Sequence, residues 1–441
     1  MFPDSVDLLS ANNKRATKEN RMNTWFDTAR LGMFISWGPS SQKGWELSWP
    51  LVYEKINLYL PYCQDLTVEE YYIITPTFNP TEYDAKELAR IAKRTGMTYA
   101  VLTTKHHDGY AMFHTTHSDF SIQNSPYHRD IVREYVDAFR SEGLKIGLYF
   151  SLIDWHHPDY PAFEDADRQR IATVSLRQPT KEQWDRYLEF MFGQIRELLT
   201  NYGKIDVIWF DGQWERTPEQ FKAKELRDMI KSLQPEILIN DRLPGQGDFD
   251  TPEQFVPAAS QQRMWETCLT MNTSWGYNPT DPEYKTAREL IHTLCEVAAK
   301  GGNLLLNVSP MGNGKLPDEH IERLEALGQW MTRNSESIVG TTPGLEPWQF
   351  YGPSTRKGNT VYLHLVMKPY DTVSIKGISV NKVKSVRALS KSEELPNKKR
   401  IPVVDIVAET PTPYGELIVT VPDHVVDPYV TVIAIEFSEI S

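Results

Sequence analysis

Two patterns in the sequence predict an α/β fold made of a (β/α)8-like barrel, followed by an all-β antiparallel sandwich. Over about the first 310 residues, short and continuously apolar runs alternate with amphipathic segments, as in parallel strands covered on both faces. No Gly-x-Gly-x-x-Gly motif follows the first run, which favours a barrel over a doubly wound sheet. We therefore expect a TIM-type barrel in residues 1–342 and a β-sandwich in residues 343–441.

Strand and helix signals justify the barrel. The helix starts are marked by Asp84 with Glu87 and by Thr180 with Gln183, each spaced as a capping box. A third helix is expected from about Pro282 to Lys300, because apolar residues fall on one face there. The expected strands are residues 32–38, 99–106, 145–152, 205–212, 236–242, 264–269 and 303–310.

After about residue 343 the helical pattern stops and short alternating runs take over. The basic cluster Lys398, Lys399 and Arg400 lies between two of these runs and is expected to be a solvated turn. The runs are residues 359–367, 372–378, 383–389, 402–408, 416–422 and 429–437, and they predict the antiparallel sandwich.

Composition excludes several classes of partner. A net charge of −12 argues against nucleic acid and anionic membranes, since both attract clustered Lys and Arg. Cys63, Cys268 and Cys295 are too far apart to indicate a disulfide framework or a metal knuckle. We expect a cytoplasmic protein if Met1 is the native start, and a periplasmic or secreted one if a signal peptide was trimmed. A homo-oligomer is compatible with the sequence, which does not specify one.

Polar and aromatic residues collect at the expected strand ends, where the active sites of such barrels lie. A metal-dependent hydrolase would place His-x-His on the first strand, where this chain has Ser36, so no metal is expected. His156 and His157 could still add ligands. The strand ends carry, in order, Ser36, Trp37, His106, His107, Asp108, Tyr149, Phe150, Asp154, Trp155, Trp209, Asp211, Asp241 and Arg242, with Glu253 and Glu266 following.

Glycoside hydrolysis is the chemistry these residue types favour. Retention needs two carboxyl groups about 5–5.5 Å apart, one as nucleophile and one as acid/base. Asp211 ends a strongly apolar run, where a carboxylate without a function would be an unexplained cost. It could instead cap a helix or start a turn with Gly212. The aromatic loop with Trp37, Trp45 and Trp49 could face a sugar or pack on its own domain.

Several long motifs resemble the α-L-fucosidases of glycoside hydrolase family 29, over about residues 20 to 345. The resemblance implies exo-acting, retaining release of α-L-fucose from a fucosylated oligosaccharide or glycoconjugate, through a covalent fucosyl-enzyme and without metal or other cofactor. It also implies a C-terminal β-sandwich. The motifs are KHHDGY (105–110), GLYFS (147–151), WFDG (209–212), INDR (239–242), DFDTPE (248–253), MWETCLTMNTSWGYN (264–278) and GGNLLLNVSPMGNG (301–314).

By the same resemblance, Asp211 is the nucleophile and Glu253 the acid/base, with Glu266 and Glu46 as rival candidates. Trp275 is implied to face the edge of the sugar that carries the C5 methyl group. Asp108 is expected to orient a histidine or the turn. The expected substrate contacts are Ser36, Trp37, Glu46, His106, His107, Phe150, Trp209, Arg242 and Trp275.

Ser36 and Phe150 depart from the family pattern, which has histidine and often tyrosine there. A carbohydrate-binding protein with weak or altered activity is therefore the alternative function. Linkage preference is expected to lie in the loops at residues 39–65 and 155–180.

Restoring the histidine tests the first departure. An unpaired buried hydroxyl costs about 1–3 kcal/mol, so Ser36→His should change fucose affinity and aryl fucoside turnover. If both stay at wild-type values, Ser36 does not lie at the hydroxyl position assigned to it.

Overall fold

The chain is described by a computed structural model, which covers residues 25–52, 66–160, 164, 178–411 and 413–439. All seven predicted strands of its first part are present. They are β1 (Leu31–Ile35), β2 (Tyr99–Lys105), β3 (Lys145–Ser151), β4 (Val207–Asp211), β5 (Leu238–Ile239), β6 (Glu266–Leu269) and β7 (Asn303–Val308). They form a sheet of parallel strands in the order β5-β4-β3-β2-β1-β7-β6.

An additional extended segment joins the two edges of this sheet. Phe249 pairs with Asn240, just after β5, and Asp250 pairs with Trp265, just before β6. Farther along, Glu253 pairs with Cys268 of β6. The segment thus takes the place of the eighth strand and closes the ring, as the barrel prediction requires. It was not predicted as a strand, because it is short, acidic and interrupted by Pro252.

Helices lie between the barrel strands. Thr180 and Thr286 each form a capping box, and the second one makes its helix begin at Ala287 rather than near Pro282. Asp84 caps its helix alone, because Glu87 pairs with arginines instead of closing the box. The barrel helices are α1 (Val68–Tyr72), α2 (Ala85–Arg94), α3 (Ile131–Ser141), α4 (Lys181–Asn201), α5 (Ala223–Leu233), α6 (Ala287–Ala299) and α7 (Asp318–Asn334).

Alternation along the strands separates two apolar layers. One layer fills the interior of the barrel and includes Phe34, Tyr149 and Trp209. The other lies between strands and helices and includes Ile35, Phe150 and Phe210. Successive residues of a strand therefore point alternately into the barrel interior and into the strand–helix layer. This alternation decides which side chains at the strand ends can share a site.

The second part of the chain is antiparallel, as predicted. A six-stranded and a three-stranded sheet enclose a core that includes Leu363, Ile375 and Ile433. The expected boundary between residues 342 and 343 falls within the first strand of this part and stays a prediction. The strands are β8 (Thr342–Pro343), β9 (Ser354–Lys357), β10 (Thr360–Leu365), β11 (Thr372–Ser379), β12 (Val383–Ala388), β13 (Glu393–Glu394), β14 (Asn397–Arg400), β15 (Tyr414–Thr420) and β16 (Thr431–Phe437).

Two predictions for this part are wrong. Residues 402–408 do not form a strand but contain the short helix α8 (Val403–Val407), which starts after Pro402. The cluster Lys398, Lys399 and Arg400 is not a turn but lies in β14, paired with β15. Because this strand is an exposed edge of the three-stranded sheet, its charges are compatible with strand structure.

None of the described helices is long and apolar enough to cross a membrane. Cys268 and Cys295 are buried free thiols, whereas Cys63 lies outside the described residues. Residues 53–65, 161–163 and 165–177 also lie outside the described residues. They belong to the two loops that are expected to set linkage preference.

His364 makes the stability of the second part dependent on pH. It is fully buried in β10, and burial lowers its pKa to about 3. The unfolded chain takes up the proton near pH 6.5, so the folded state loses stability as the pH falls from there towards 3. Between pH 7 and pH 5 we expect the wild type to lose about 2 kcal/mol more unfolding free energy than His364→Gln.

Urea denaturation of both proteins at the two pH values measures this difference. An equal loss in the wild type and in His364→Gln would show that His364 titrates normally in the folded protein.

Candidate active site

Asp211 is the last residue of β4 and points into the mouth of the barrel. Tyr149 Oη donates a hydrogen bond to its Oδ2 at 2.8 Å, and Arg242 Nη1 donates to its Oδ1 at 2.8 Å. Burial by itself would raise the pKa of this carboxyl, but the charge of Arg242, together with His107 and these hydrogen bonds, lowers it below its ordinary value. Asp211 is therefore an ionised carboxylate at neutral pH.

Arg242 brings the two predicted catalytic carboxyl groups together. Its Nη1 binds Asp211, and its Nη2 donates to Glu253 Oε2 at 2.5 Å. The guanidinium lies over the Trp209 ring, 4.6 Å from the centroid. The Asp211 side chain is 12% exposed and that of Glu253 is 38% exposed. The site therefore has one buried carboxylate and one that faces solvent, no farther apart than a single guanidinium can bridge.

His106 and His107 lie beside Asp211 and are neutral. Burial, followed by the charge of His107, lowers the pKa of His106 far below its ordinary value. Burial lowers the pKa of His107 to about 4 against the opposing effect of Asp211. His106 Nδ1 bonds Ser48 Oγ at 2.6 Å and His107 Nδ1 bonds Ser151 Oγ at 2.7 Å. Neutral imidazoles in fixed orientations suit the binding of uncharged hydroxyl groups.

His107 Nε2 is buried and has no hydrogen-bond partner among the described residues. It lies 3.8 Å from Asp211 Oδ2. A buried nitrogen without a partner is a cost unless a ligand satisfies it. The position next to Asp211 is therefore suited to a ligand hydroxyl.

The ligand atoms of His106, His107 and Asp211 lie within 4.8 Å of one another, a spacing that a metal ion could use. The surrounding charges do not fit one, because Arg242 already binds Asp211 at 2.8 Å and the buried Lys105 also acts on His107. A divalent cation would face both positive groups at short range. Metal-free chemistry stays the prediction.

Glu266, one rival for the acid/base role, lies inside the barrel. Its carboxylate accepts hydrogen bonds from Trp209 Nε1 at 3.0 Å and from Tyr99 Oη. Burial raises its pKa to about 7. Both oxygens are thus engaged on the interior side of the site, which makes Glu266 a support for Trp209 rather than a group open to the cleft.

Glu46, the other rival, holds the backbone of the segment that carries Trp275. Its oxygens accept from the backbone N–H groups of Trp275 at 2.5 Å and Gly276 at 2.7 Å. Burial raises its pKa to about 8, against the opposing effect of these two donors. Glu46 therefore positions Trp275 instead of presenting a free carboxylate to a ligand.

Ser36 supports the same segment from the other side. Its hydroxyl donates to Asn307 Oδ1 at 2.6 Å, and Asn307 Nδ2 donates to the Trp275 carbonyl at 2.8 Å. The serine hydroxyl is therefore satisfied within the protein. Through Asn307, Ser36 therefore helps to hold the Trp275 segment.

Two of the expected substrate contacts, Trp37 and Phe150, lie in the strand–helix layer and not in the barrel interior. Trp37 is buried in the strand–helix layer, where its Nε1 donates to Ser41 Oγ and the Met311 carbonyl. Phe150 is buried in the same layer against Lys105 Nζ, 4.6 Å from its ring centroid. The positions of Trp37 and Phe150 follow from strand alternation, because the residue that precedes each of them in sequence faces the barrel interior.

Several other strand-end residues are structural. Asp108 accepts from Tyr71 Oη at 2.6 Å and from the Tyr110 backbone N–H at 3.2 Å, so it fixes the turn. Asp154 binds the buried Lys105 at 3.0 Å. His156 stacks on Phe120, with ring centroids 3.8 Å apart.

The expected substrate contacts do not include Tyr149, Ser48 or Trp214, and the sequence leaves open whether Trp49 faces a sugar. Tyr149 lies two residues before Ser151 in β3, so the two side chains face the same side of the sheet. This spacing within GLYFS could have identified Tyr149 as a site residue. Ser48, Trp49 and Trp214 come from loops. Trp49 stacks on Trp214, with centroids 6.2 Å apart, and meets His107 edge-on. By contrast, Trp45 stacks on Tyr71 of α1. No local sequence pattern distinguishes Trp49, which lies beside His107, from Trp45, which packs on α1.

A cleft of about 320 Å³ opens next to the carboxyl pair. It is lined by Gln213, Trp214, Asp241, Arg242, Thr251 and Glu253.

Glu46→Gln tests the role of Glu46 in holding the Trp275 segment. Near pH 4 the Glu46 carboxyl is largely neutral in both the folded and the unfolded chain, so the cost of burying its charge does not enter, and the variant places an NH2 group opposite one of two backbone N–H donors. Urea denaturation should show a loss of about 1–3 kcal/mol in unfolding free energy. The exposed Glu283→Gln is the matched control, with an expected change within about 0.5 kcal/mol. Equal small effects in both variants would contradict the assigned role.

The family model for alpha-L-fucosidase matches residues 8–336. The alpha-L-fucosidase of Dictyostelium discoideum is 30% identical over 392 residues, which cover 80% of this chain and 79% of that protein. The human tissue alpha-L-fucosidase is 29% identical and covers 77% of this chain and 74% of its own length.

Solved structures agree in fold. Alpha-L-fucosidase isoenzyme 1 from Paenibacillus thiaminolyticus superposes with a TM-score of 0.80 at 37% identity, over 94% of this chain and 98% of its own. A family 29 alpha-L-fucosidase from Bacteroides thetaiotaomicron gives 0.78 at 27% identity, over 93% of both chains. With the family match spanning most of the barrel, the chain belongs to the alpha-L-fucosidase family, glycoside hydrolase family 29.

Proposed function

We propose that this chain is an exo-acting, retaining α-L-fucosidase that releases α-L-fucose from fucosylated oligosaccharides or glycoconjugates. The observation that carries the proposal is the bridge through Arg242 between the buried, ionised Asp211 and the more exposed Glu253. Two carboxyl groups at close range on the C-terminal rim of a barrel are the arrangement that retention requires. A related Bacteroides thetaiotaomicron fucosidase, 26% identical, has been trapped as a covalent intermediate with 2-fluoro-fucosyl fluoride.

In the first step Asp211 attacks the anomeric carbon from the face opposite the leaving oxygen. The Asp211–carbon bond forms as the glycosidic bond breaks, and Glu253 gives its proton to the leaving oxygen. In the second step Glu253 takes a proton from water, which attacks the same carbon and releases Asp211. Two inversions give net retention, and both carboxyl groups return to their starting states.

Arg242 and Tyr149 prepare Asp211 for this role. Both donate hydrogen bonds to its carboxylate, which keeps it ionised and fixes the direction of its oxygens. Glu253 also binds Arg242, so it must exchange that contact for the glycosidic oxygen when substrate enters. Its greater exposure favours this exchange, since hydrogen bonds in a free site commonly rearrange on substrate binding.

Recognition of the sugar falls to neutral groups around Asp211. His107 Nε2 has no hydrogen-bond partner among the described residues and is placed to bind a hydroxyl near the reacting carbon. Trp275, held by Glu46 and Asn307, is assigned by family resemblance to the methyl-bearing edge. Trp209 contributes by supporting Arg242 from below.

The alternative of a carbohydrate-binding protein without activity rests on the departures at Ser36 and Phe150. Ser36 is satisfied by Asn307, and Tyr149 supplies a hydroxyl to Asp211 although Phe150 has none. Both carboxyl groups of the proposed mechanism are in place. The enzyme is therefore favoured.

Asp211→Gly tests the nucleophile. We expect its turnover of an aryl α-L-fucoside to fall by about 10⁴-fold or more, because a group that acts as part of a catalytic unit is lost. Added azide should restore turnover by attacking from the vacated face, and nuclear magnetic resonance should identify the product as β-fucosyl azide. Chelator-treated wild type is the parallel control. Activity lost on chelation and regained with metal would instead support a metal-dependent hydrolase.

Glu253→Ala tests the acid/base. Fucosides with poor leaving groups should lose about 10²–10⁴-fold in kcat, whereas those with good leaving groups should lose less in the first step. Azide should now attack the fucosyl-enzyme and give α-fucosyl azide, the opposite anomer. Full activity of Glu253→Ala on a poor leaving group would exclude Glu253, and the same assay on Glu266→Gln and Glu46→Gln would then identify the acid.

A further inference from the structure

The cleft lined by Trp214, Asp241 and Glu253 borders the carboxyl group that acts on the leaving group in the proposed reaction. Glu253 has to reach the glycosidic oxygen, and the group beyond that oxygen must therefore occupy space bordering Glu253. The residues of this cleft are thus in a position to decide which aglycone is accepted.

Asp241 presents a carboxylate to the cleft in a fixed orientation. Thr251 Oγ1 donates to its Oδ1 at 2.5 Å. Gly247 packs so closely on its backbone that a Cβ there would lie 2.4 Å from the Asp241 Cα. Asp241 is exposed, and its Oδ2 accepts no hydrogen bond from the described residues. That oxygen is available to hydroxyl donors of a bound sugar.

Trp214 forms an aromatic wall of the same cleft. Gly212, in the left-handed region with φ of 81°, turns the chain directly after Asp211. The following turn is anchored by Glu215, which accepts from Trp155 Nε1 at 3.1 Å and Tyr160 Oη at 2.6 Å. Trp214 itself stacks on Trp49. A ring held in this way offers an apolar surface to the face of a sugar ring.

The charge of the cleft disfavours anions. Asp241 and Glu253 are both acidic, and Arg242 is the cation among the cleft residues of the described chain. Both terminal nitrogens of Arg242 are already bound to carboxylates. When Glu253 carries the proton that it gives to the leaving oxygen, a sulfate or uronate on the leaving group would still meet the negative charge of Asp241 and no free cation, which costs free energy at short range.

We propose that this cleft is the leaving-group subsite and that Asp241 and Trp214 select a neutral, hydroxyl-bearing sugar there. This assignment rests on the proposed function, because it needs Glu253 to act at the glycosidic oxygen. It adds the class of leaving group: an uncharged sugar whose hydroxyls donate to Asp241 while its ring packs on Trp214.

The test compares kcat/KM for three substrates. One is a fucosyl disaccharide with a neutral leaving sugar, the second is the same disaccharide sulfated on that sugar, and the third is α-L-fucosyl fluoride, which leaves the subsite empty. We expect the wild type to prefer the neutral over the sulfated disaccharide by about tenfold or more. In Asp241→Asn the ratio of neutral disaccharide to fluoride should fall about tenfold, and the discrimination against sulfate should narrow.

Asp228→Asn is the matched control, because this exposed aspartate of α5 changes the net charge equally but lies outside the cleft. Its substrate ratios should equal those of the wild type. Wild-type ratios in Asp241→Asn would overturn the assignment while leaving the proposed function intact. A wild type that does not hydrolyse even fucosyl fluoride would overturn the proposed function, and the assignment with it.

Discussion

The guanidinium of Arg242 rests on the face of Trp209 and binds Asp211 through one terminal nitrogen and Glu253 through the other. Two carboxylates placed this close would repel each other, and Asp211 is also largely removed from water. The shared cation offsets both effects, and the planar fork of arginine fixes the relative directions of the two acids. The remaining features of the site can be understood as means of holding this one ion cluster in place.

Support for the cluster extends down into the barrel. Glu266 accepts a hydrogen bond from the Trp209 indole, and the ring of Trp209 carries Arg242 on its face. The interior of the barrel is thus packed with aromatic rings and one buried acid rather than with aliphatic side chains alone. Burying Glu266 costs free energy, and burial raises its pKa to about 7. The hydrogen bonds from Tyr99 and Trp209 offset part of this cost.

Glutamates that each accept two hydrogen bonds also hold two loops that border the site. Glu46 accepts two backbone N–H groups and so fixes Trp275, while Glu215 accepts from Trp155 and Tyr160 and so fixes the turn that carries Trp214. In both cases burial raises the pKa of the glutamate. Loops gain order from such buried acceptors because their own backbone groups lack the regular partners of helices and strands. Aromatic side chains that recognise a sugar can then come from loops and still be held in position.

The sequence by itself determined the order of strands and helices, the change to an antiparallel fold near residue 343, and the motifs that carry Asp211, Arg242 and Glu253. These features are local, since they depend on the period of apolar residues and on caps and turns within a few positions. The strand predicted at residues 402–408 failed because a short apolar run fits a helix as well as a strand, and its neighbours in space decide between them.

Only the tertiary structure decided which residues share the site. Strand alternation in the closed barrel turned Trp37 and Phe150 away from the interior and Tyr149 towards it. Contacts between distant parts of the chain assigned Glu46, Glu266 and Ser36 to supporting roles, and the loops brought in Trp49 and Trp214. These assignments depend on which way a side chain points and on what lies opposite it. Neither is fixed by local sequence, because both follow from how the whole barrel closes.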